Sequence, residues 1–503
     1  MRTLYRASRV WTLSHPPVGE WVLVDGRHVQ RVGSGDPPEA DRVVELPGTT
    51  ILPGFVDAHV HLTGTGLHEA DPAIAGVRSA GELVAAARDV AAAGEGPTLL
   101  HGFDESAWSV PGLPGRTDLD QASPRPLCLV RTDGHLSLAN LPALRDSGAL
   151  GAPGCELDER GEPTGRVRGE ANERLLRWFA QALPDHAIQE LQLRAAALAA
   201  SRGVTSVHEM SVPALRGLRD AQVLLEQRSR LPVDVVLYLG TTDIPQAIDL
   251  GLPRIGGDLP VDGSIGAGTA ALSAPYVDGG GRGETRFEDD ELAEFLHDAH
   301  LAGLQVGLHA IGDRAIEQVL STWERIYRTL DSRDKRHFRA RRHRVEHFEM
   351  PVGQHIERAA VLGLAISVQP TFDARWGQPG GLYERRLGQE RARAMNPFRA
   401  LLDRGLEVGA GSDAPVTSLD PIEALLALER HHDGAQRLSR WEAIRLHTIG
   451  SARLAHQEDK KGALEPGMHA DFAAYESDPF AEGDPERLRP VLTVSLGREV
   501  SAR

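Results

Sequence analysis

The chain has 503 residues, of which 41% are hydrophobic and 25% charged, and carries a formal net charge of −16. This is the composition of a globular protein longer than one ordinary core, with two or three substructures expected. The acidic balance argues against nucleic acid or an anionic membrane as the main partner, and two cysteines, Cys128 and Cys155, are too few for a disulfide framework.

Residues 1–50 read as short β segments at Ser8–Leu13, Trp21–Val24, His28–Val32 and Arg42–Leu46, with Asp25-Gly26 as a hairpin signal. Residues 463–503 read similarly, with strands over Asp471–Tyr475 and Val491–Leu496, so the two ends are expected to form one small β-sandwich domain. The N-terminus lacks the apolar run of a signal peptide, and no stretch is apolar enough to span a bilayer. The expected location is cytoplasmic.

The stretch Ile51-Leu-Pro-Gly-Phe-Val-Asp-Ala-His-Val-His61 reads as a buried strand ending in two histidines. Side chains at i and i+2 share a face of a strand, so His59 and His61 point the same way and suit a divalent metal. Asp57 shares that face and is expected to orient a ligand. From Gly203 onward strands alternate with helices. Gly203–His208, Val233–Leu239, Asp258–Ile265 (weakened by Pro260), Leu304–His309, Val345–Phe348, Leu364–Gln369 and Leu406–Ser412 bring the strand count to eight. Ile316, Val319, Leu320, Trp323, Ile326 and Leu330 recur at helical spacing and are expected in the core. Asp420-Pro-Ile-Glu423 reads as a helix start.

This is the pattern of an α/β fold, a (β/α)₈ TIM barrel over 51–61 plus 187–462. The count requires residues 62–186 to be an insertion after strand one, capping the barrel mouth. Residues 1–50 plus 463–503 form the terminal domain. The basic run Ser332–Arg344 holds seven Arg or Lys and reads as a solvated face. Cys128 sits in an apolar strand and is expected to be buried and inert.

Barrel enzymes carry their chemistry at the C-terminal ends of strands. His59 and His61 end strand one, His309 strand five, His347 strand six and Asp413 strand eight. Each alone has an ordinary structural reading. Four histidines and an aspartate at such positions together point to a metal site.

The sequence resembles the amidohydrolase superfamily, in the branch of the N-substituted formamide deformylases and YtcJ-like proteins. The resemblance rests on Pro53-Gly-Phe-Val-Asp-Ala-His-Val-His61, Arg131-Thr-Asp-Gly-His135, Asp262-Gly-Ser-Ile-Gly266, His309-Ala-Ile-Gly-Asp-Arg-Ala315, Val345-Glu-His347, Gly411-Ser-Asp-Ala-Pro415 and the return motif Lys461–Asp471. It implies a metal-dependent hydrolase of C–N bonds, often amides, with His135 contacting substrate. From the residues alone, His135 is a histidine after a tight turn.

Many relatives carry a lysine at the end of strand four that, carboxylated, bridges two metals. Here that position is Asp258. The lysines of this chain are Lys335, Lys460 and Lys461, none on an expected strand end. Asp258 is either a short bridge or a loop carboxylate, and Glu209 is a second candidate. One tightly held zinc is therefore favoured over two. The insertion also offers Glu170, Asp104 and Trp108 as pocket residues, with Trp108 equally readable as local core. His68, His101 and His208 are expected to be structural.

The expected activity is metal-assisted hydrolysis of an amide-type bond in a small molecule, with Asp413 as general base and His135 assisting at the carbonyl. The expected associations are the substrate and, at most, a homodimer partner. A mononuclear deaminase or cyclic-amide hydrolase on the same barrel is the nearest alternative. It lacks support because His309 is followed by Ala310-Ile-Gly-Asp313, without a glutamate acid. A non-catalytic metal- or ligand-binding barrel is the alternative from another class.

Overall fold

A computed structural model describes residues 1–110, 112–480 and 488–502. Eight parallel strands carry the fold: β1 (Phe55–Val60), β2 (Val204–Ser211), β3 (Asp234–Leu239), β4 (Arg254–Ile255), β5 (Gln305–Ala310), β6 (Arg344–His347), β7 (Ala365–Val368) and β8 (Glu407–Ala410). They form two parallel sheets, one ordered β3-β2-β1 and the other β4-β5-β6-β7-β8. At one edge the Gly256 amide donates to Leu239 O at 2.7 Å. At the other, Val60 bridges Ala414 in parallel register. These contacts set β3 beside β4 and β1 beside β8.

Helices follow the strands, among them Leu62–Ala70, Leu218–Gln227, Asp289–Leu301, Asp313–Thr329, His355–Leu362 and Pro421–Glu429. Their apolar stripes cover the strands and build the largest core cluster, with Ile316, Val319, Leu320 and Trp323 fully buried in it. Asp420 caps its helix as expected, accepting the Ile422 amide at 3.0 Å.

The first strand starts later than its apolar run suggests. Ile51 and Leu52 end a longer strand, Arg42–Pro53, which pairs with Phe472–Tyr475. The strands of both chain ends join in one continuous seven-stranded sheet. Their shared core includes Tyr5, Val22, Ile51, Phe472 and Val494. Lys461 is buried there, bonded to Asp234 at 2.6 Å and 3.4 Å from Asp471.

Between β1 and β2 lies a five-stranded sheet (Thr98–Phe103, Leu127–Arg131, Ser137–Ala139, Pro163–Val167, Cys155–Leu157) with helices that include Ala80–Ala93 and Gly169–Gln181. Cys128 is buried within it, and burial pushes its thiol up to about 12. The basic run forms the exposed helix Ser332–Arg341 before β6. Among the described residues no helix is long and apolar enough to cross a membrane.

Strand four departs most from expectation: its two paired residues, Arg254 and Ile255, lie ahead of the expected span Asp258–Ile265. Gly256 and Gly257 then take left-handed φ values of 79° and 70°. A Cβ on Gly256 would lie 2.0 Å from Gly307 O, and one on Gly257 2.5 Å from Tyr238 Cβ. The glycine pair lets this backbone press against β5 and β3. Gly257→Ala should therefore cost roughly 2–5 kcal/mol, the sum of overpacking and left-handed strain. Denaturant unfolding measures this, and an unchanged midpoint would mean that the backbone has room for the methyl group.

Candidate active site

The strand ends converge on one cavity. His61, His135, Asp258, His309, His347 and Asp413 all line it. His59 is fully buried beneath it, with Nε2 3.4 Å from Asp413 Oδ1. His61 Nε2 lies 3.2 Å from the same oxygen. The alternation along β1 thus brings both rings to Asp413, whose amide bonds back to His59 O at 2.7 Å. His347 and Asp413 both have left-handed backbones, φ 70° and 54°. Such non-glycine conformations are costly and cluster at functional sites.

Asp258 lies at the centre of the histidines. Its carboxylate oxygens are 2.9 Å from His309 Nδ1, 3.4 Å from His347 Nε2, 3.5 Å from His61 Nε2 and 3.8 Å from His59 Nε2. The reach that the short side chain lacks is supplied by the inward backbone at Gly256-Gly257. Glu209, by contrast, stands apart and accepts the Leu62 amide at 2.6 Å.

Burial acts to raise the Asp258 carboxyl, but the charge of His309 and hydrogen bonds from His309, His347 and His61 hold it well below the usual range. Asp413 is lowered in the same way, burial being outweighed by His59 and His61. In return, and against desolvation, the aspartates raise His61 well above an ordinary imidazole and His347 to about 9. The cluster therefore attracts positive charge, as protons on imidazole or as a cation.

The donors suit a cation. Among the described residues, His59 Nε2, His347 Nδ1 and Asp413 Oδ1 are buried without a hydrogen-bond partner. Two overlapping groups, His59/His61/Asp413 and His59/Asp258/His347, offer ligand atoms within 4.8 Å of one another. Imidazole nitrogen with carboxylate oxygen is a donor set for a borderline divalent metal. A third group, Asp373/His431/His432, lies away from the cavity and carries ring nitrogens on the backbone carbonyls of Asn396, Asp433 and Arg393. It reads as a structural knot.

The carboxylate that orients His59 is Glu346, not Asp57. Glu346 Oε2 is 3.0 Å from His59 Nδ1 and is clamped by Arg344 at 2.8 Å. Arg344 also donates to Ala58 O at 2.9 Å. Asp57 instead accepts the amides of His59 and Ser412 at 3.1 and 3.0 Å, tying β1 to the β8 loop. Burial raises it to about 6. The overlooked signal is Arg344-Val-Glu346, opposite charges at i and i+2 inside an apolar strand. Removing Glu346 as Glu346→Ala would leave Arg344 buried and unpaired, at a cost of roughly 3–5 kcal/mol. Glu346→Gln is the milder probe, with metal affinity expected to fall about 10–100-fold. Metal titration of the apoprotein reads this, and unchanged affinity would deny Glu346 its orienting role.

The residues drawn from the insertion divide. His135 enters the cavity, its ring centroid 5.3 Å from that of His309. Burial lowers it to about 4, so it is neutral. Glu170 does not enter. It is exposed and paired with Arg174 at 2.5 Å, because helix Gly169–Gln181 turns Asn172, Glu173 and Leu176 to the cavity instead. Asp104 binds Arg131, Arg375 and the Trp376 indole at 3.4, 3.1 and 3.2 Å, outside the cavity lining. Trp108 is local core, donating to Val77 O at 2.9 Å. His208 faces Arg344 at 3.1 Å and is structural. His101, also expected to be structural, lines the cavity with an unpartnered Nδ1.

This arrangement is that of a metal-dependent hydrolase of the amidohydrolase superfamily. The amidohydrolase family profile matches residues 42–501, and the chain belongs to that family. Within it, the chain is 28% identical to the putative amidohydrolase YtcJ of Bacillus subtilis (strain 168), over 90% of this chain and 88% of that protein. It is 25% identical to the N-substituted formamide deformylase of Arthrobacter pascens, over 94% and 93%. A crystal structure of an uncharacterized metal-dependent hydrolase from Pyrococcus furiosus superposes with a TM-score of 0.73 at 27% identity, covering 96% of this chain and all of that one.

Proposed function

We propose that this protein hydrolyses an amide-type C–N bond of a small molecule in a zinc site at the mouth of a closed (β/α)₈ barrel. The observation that carries this reading is the convergence of unpartnered His59 Nε2 and Asp413 Oδ1 with His61, His309, His347 and Asp258 on one cavity. The Val60–Ala414 bridge and the Gly256–Leu239 bond support barrel closure.

A metal would be held by His59, His61, His309, His347 and Asp413, and Asp258 would supply negative charge among them. A metal held there would supply hydroxide at neutral pH, by lowering the pKa of water from about 16 to about 7, and a Lewis acid for the carbonyl. Asp413 Oδ1 has no other partner and takes the proton of the attacking water. The same carboxyl then returns the proton to the leaving nitrogen. His135 stands beside His309 and donates to the carbonyl oxygen as negative charge develops there. Leu67, Leu99, Val130 and Leu176 give the cavity an apolar wall for the substrate body. The formamide-acting relative makes N-substituted formamides the first substrates to try.

The test joins elemental analysis of dialysed protein to a screen of formamides, acetamides and ring amides. Bound zinc with turnover of at least one amide is the expected result. Bound metal with no amide turned over would defeat the reading, and release of ammonia from an amino-substituted ring would favour a deaminase.

A further inference from the structure

Resting on that reading, we propose that the substrate carries a carboxylate close to the scissile amide and that Arg216, helped by His101, binds it. The cavity contains charges beyond the metal ligands, and nearly all are matched. Asp133 is paired with Arg131 at 2.6 Å and accepts from Ser264 at 2.5 Å. Arg286 is paired with Glu173. Asp71 accepts the Ala73 amide at 3.2 Å. Arg216 lines the same cavity, and among the described residues no carboxylate lies within the 4.0 Å of an ion pair. Glu209 and Asp220 offset part of its charge through space, but their carboxylates accept from other donors, the Leu62 amide and the Thr63 hydroxyl, both at 2.6 Å.

A half-buried guanidinium whose carboxylate neighbours act on it only through space still has hydrogen-bond donors free for an anion. Its planar fork matches a carboxylate with two parallel bonds. His101 stands on the same wall, and among the described residues its Nδ1 has no partner.

A third observation sets the distance. Gly64 lies in the first turn of helix Leu62–Ala70, three residues past His61. A Cβ at Gly64 would meet Arg216 Nη2 at 3.0 Å and Pro415 Cδ at 3.3 Å. The missing side chain therefore makes the space in which the guanidinium lies. Three residues along a helix rise about 4.5 Å, so the guanidinium packs on the same short turn that carries His61, which suits an anion only a few bonds from the carbonyl under attack. The apolar wall takes the rest of the molecule. The substrate class is thus an amide whose amine half bears both a carboxylate and an apolar group. Hydrolysis would add water across the C–N bond, releasing the acyl half as a carboxylate and the other half as an amino acid.

The first measurement does not need turnover. Calorimetry on the zinc-loaded enzyme compares hexanoate with hexanamide. The wild type should prefer hexanoate at least tenfold, and Arg216→Gln should lose that preference at unchanged zinc content. Arg216→Lys should keep part of it. Gly64→Ala, which displaces the guanidinium, should weaken hexanoate binding in the same direction. The second measurement compares kcat/KM for N-formylnorleucine and its methyl ester, with the acid favoured and the ratio falling about 100-fold in Arg216→Gln. A hexanoate preference that survives Arg216→Gln would overturn the inference, whatever the amide screen shows. Failure to cleave any amide while Arg216 still governs hexanoate binding would count against amide hydrolysis alone.

Discussion

Asp413→Asn should retain metal within about twofold of the wild type and lose turnover by about 10²–10⁴-fold, the range for removal of a general base. The substitution keeps shape and one oxygen but removes the basic charge. Asp413 is well placed for that charge to act, 3.2 Å from His61, 3.4 Å from His59 and bonded to no other donor through Oδ1. Its backbone, fixed by a 2.7 Å bond to His59 O, does not depend on the side-chain charge. Elemental analysis separates loss of metal from loss of chemistry. A variant that keeps most of its activity would remove Asp413 from proton transfer.

Asp258→Ala should act at an earlier stage, on the metal itself. The side chain is within 3.8 Å of all four histidine rings. Neutral histidines cannot offset two dications a few Å apart, whose repulsion is severe in a poorly solvated pocket. At least one metal equivalent should therefore be lost on dialysis. The sequence favours one zinc because Asp258 looks too short to reach. That reason fails in the structure, so two equivalents are expected in the wild type and at most one in Asp258→Ala. Equal metal content in the two proteins would return Asp258 to the status of a loop carboxylate.

The residues that converge at the strand ends were legible because strand period and strand ends are local properties. An apolar run that stops at His59-Val-His61, and others that stop at His309, His347 and Asp413, already place five side chains on one rim. What was not legible depends on partners far apart in the chain. Glu346 meets His59 across 287 residues, and no local pattern pairs them. Glu170 failed for a helical reason, since two positions along a helix turn a side chain by about 200°, and Asn172 faces the cavity while Glu170 pairs with Arg174. Asp104 and Trp108 were plausible pocket residues by type, but their polar atoms were already engaged within the insertion and its neighbours. The reach of Asp258 was misjudged because it was measured from an ideal strand. Pro260 hinted at the early stop of strand four; the glycine pair ahead of it showed where the chain could bend.

That glycine pair makes the central acid and its backbone a single inherited unit. Reach across the site is divided between main chain and side chain, and the division is fixed by how near the loop lies to β3 and β5. Asp258→Glu would push a carboxylate one methylene further into rings already 2.9–3.8 Å from the existing one. Asp258→Lys would overshoot by more. Retreat of the loop with the aspartate kept would leave a gap that the acid cannot cross. Neither half can change usefully without the other, so an evolutionary route to a long bridging side chain passes through variants that hold metal poorly. Such epistasis predicts that residues 256–258 change together or not at all, and that grafting a lysine here requires bulkier residues at both glycine positions in the same step.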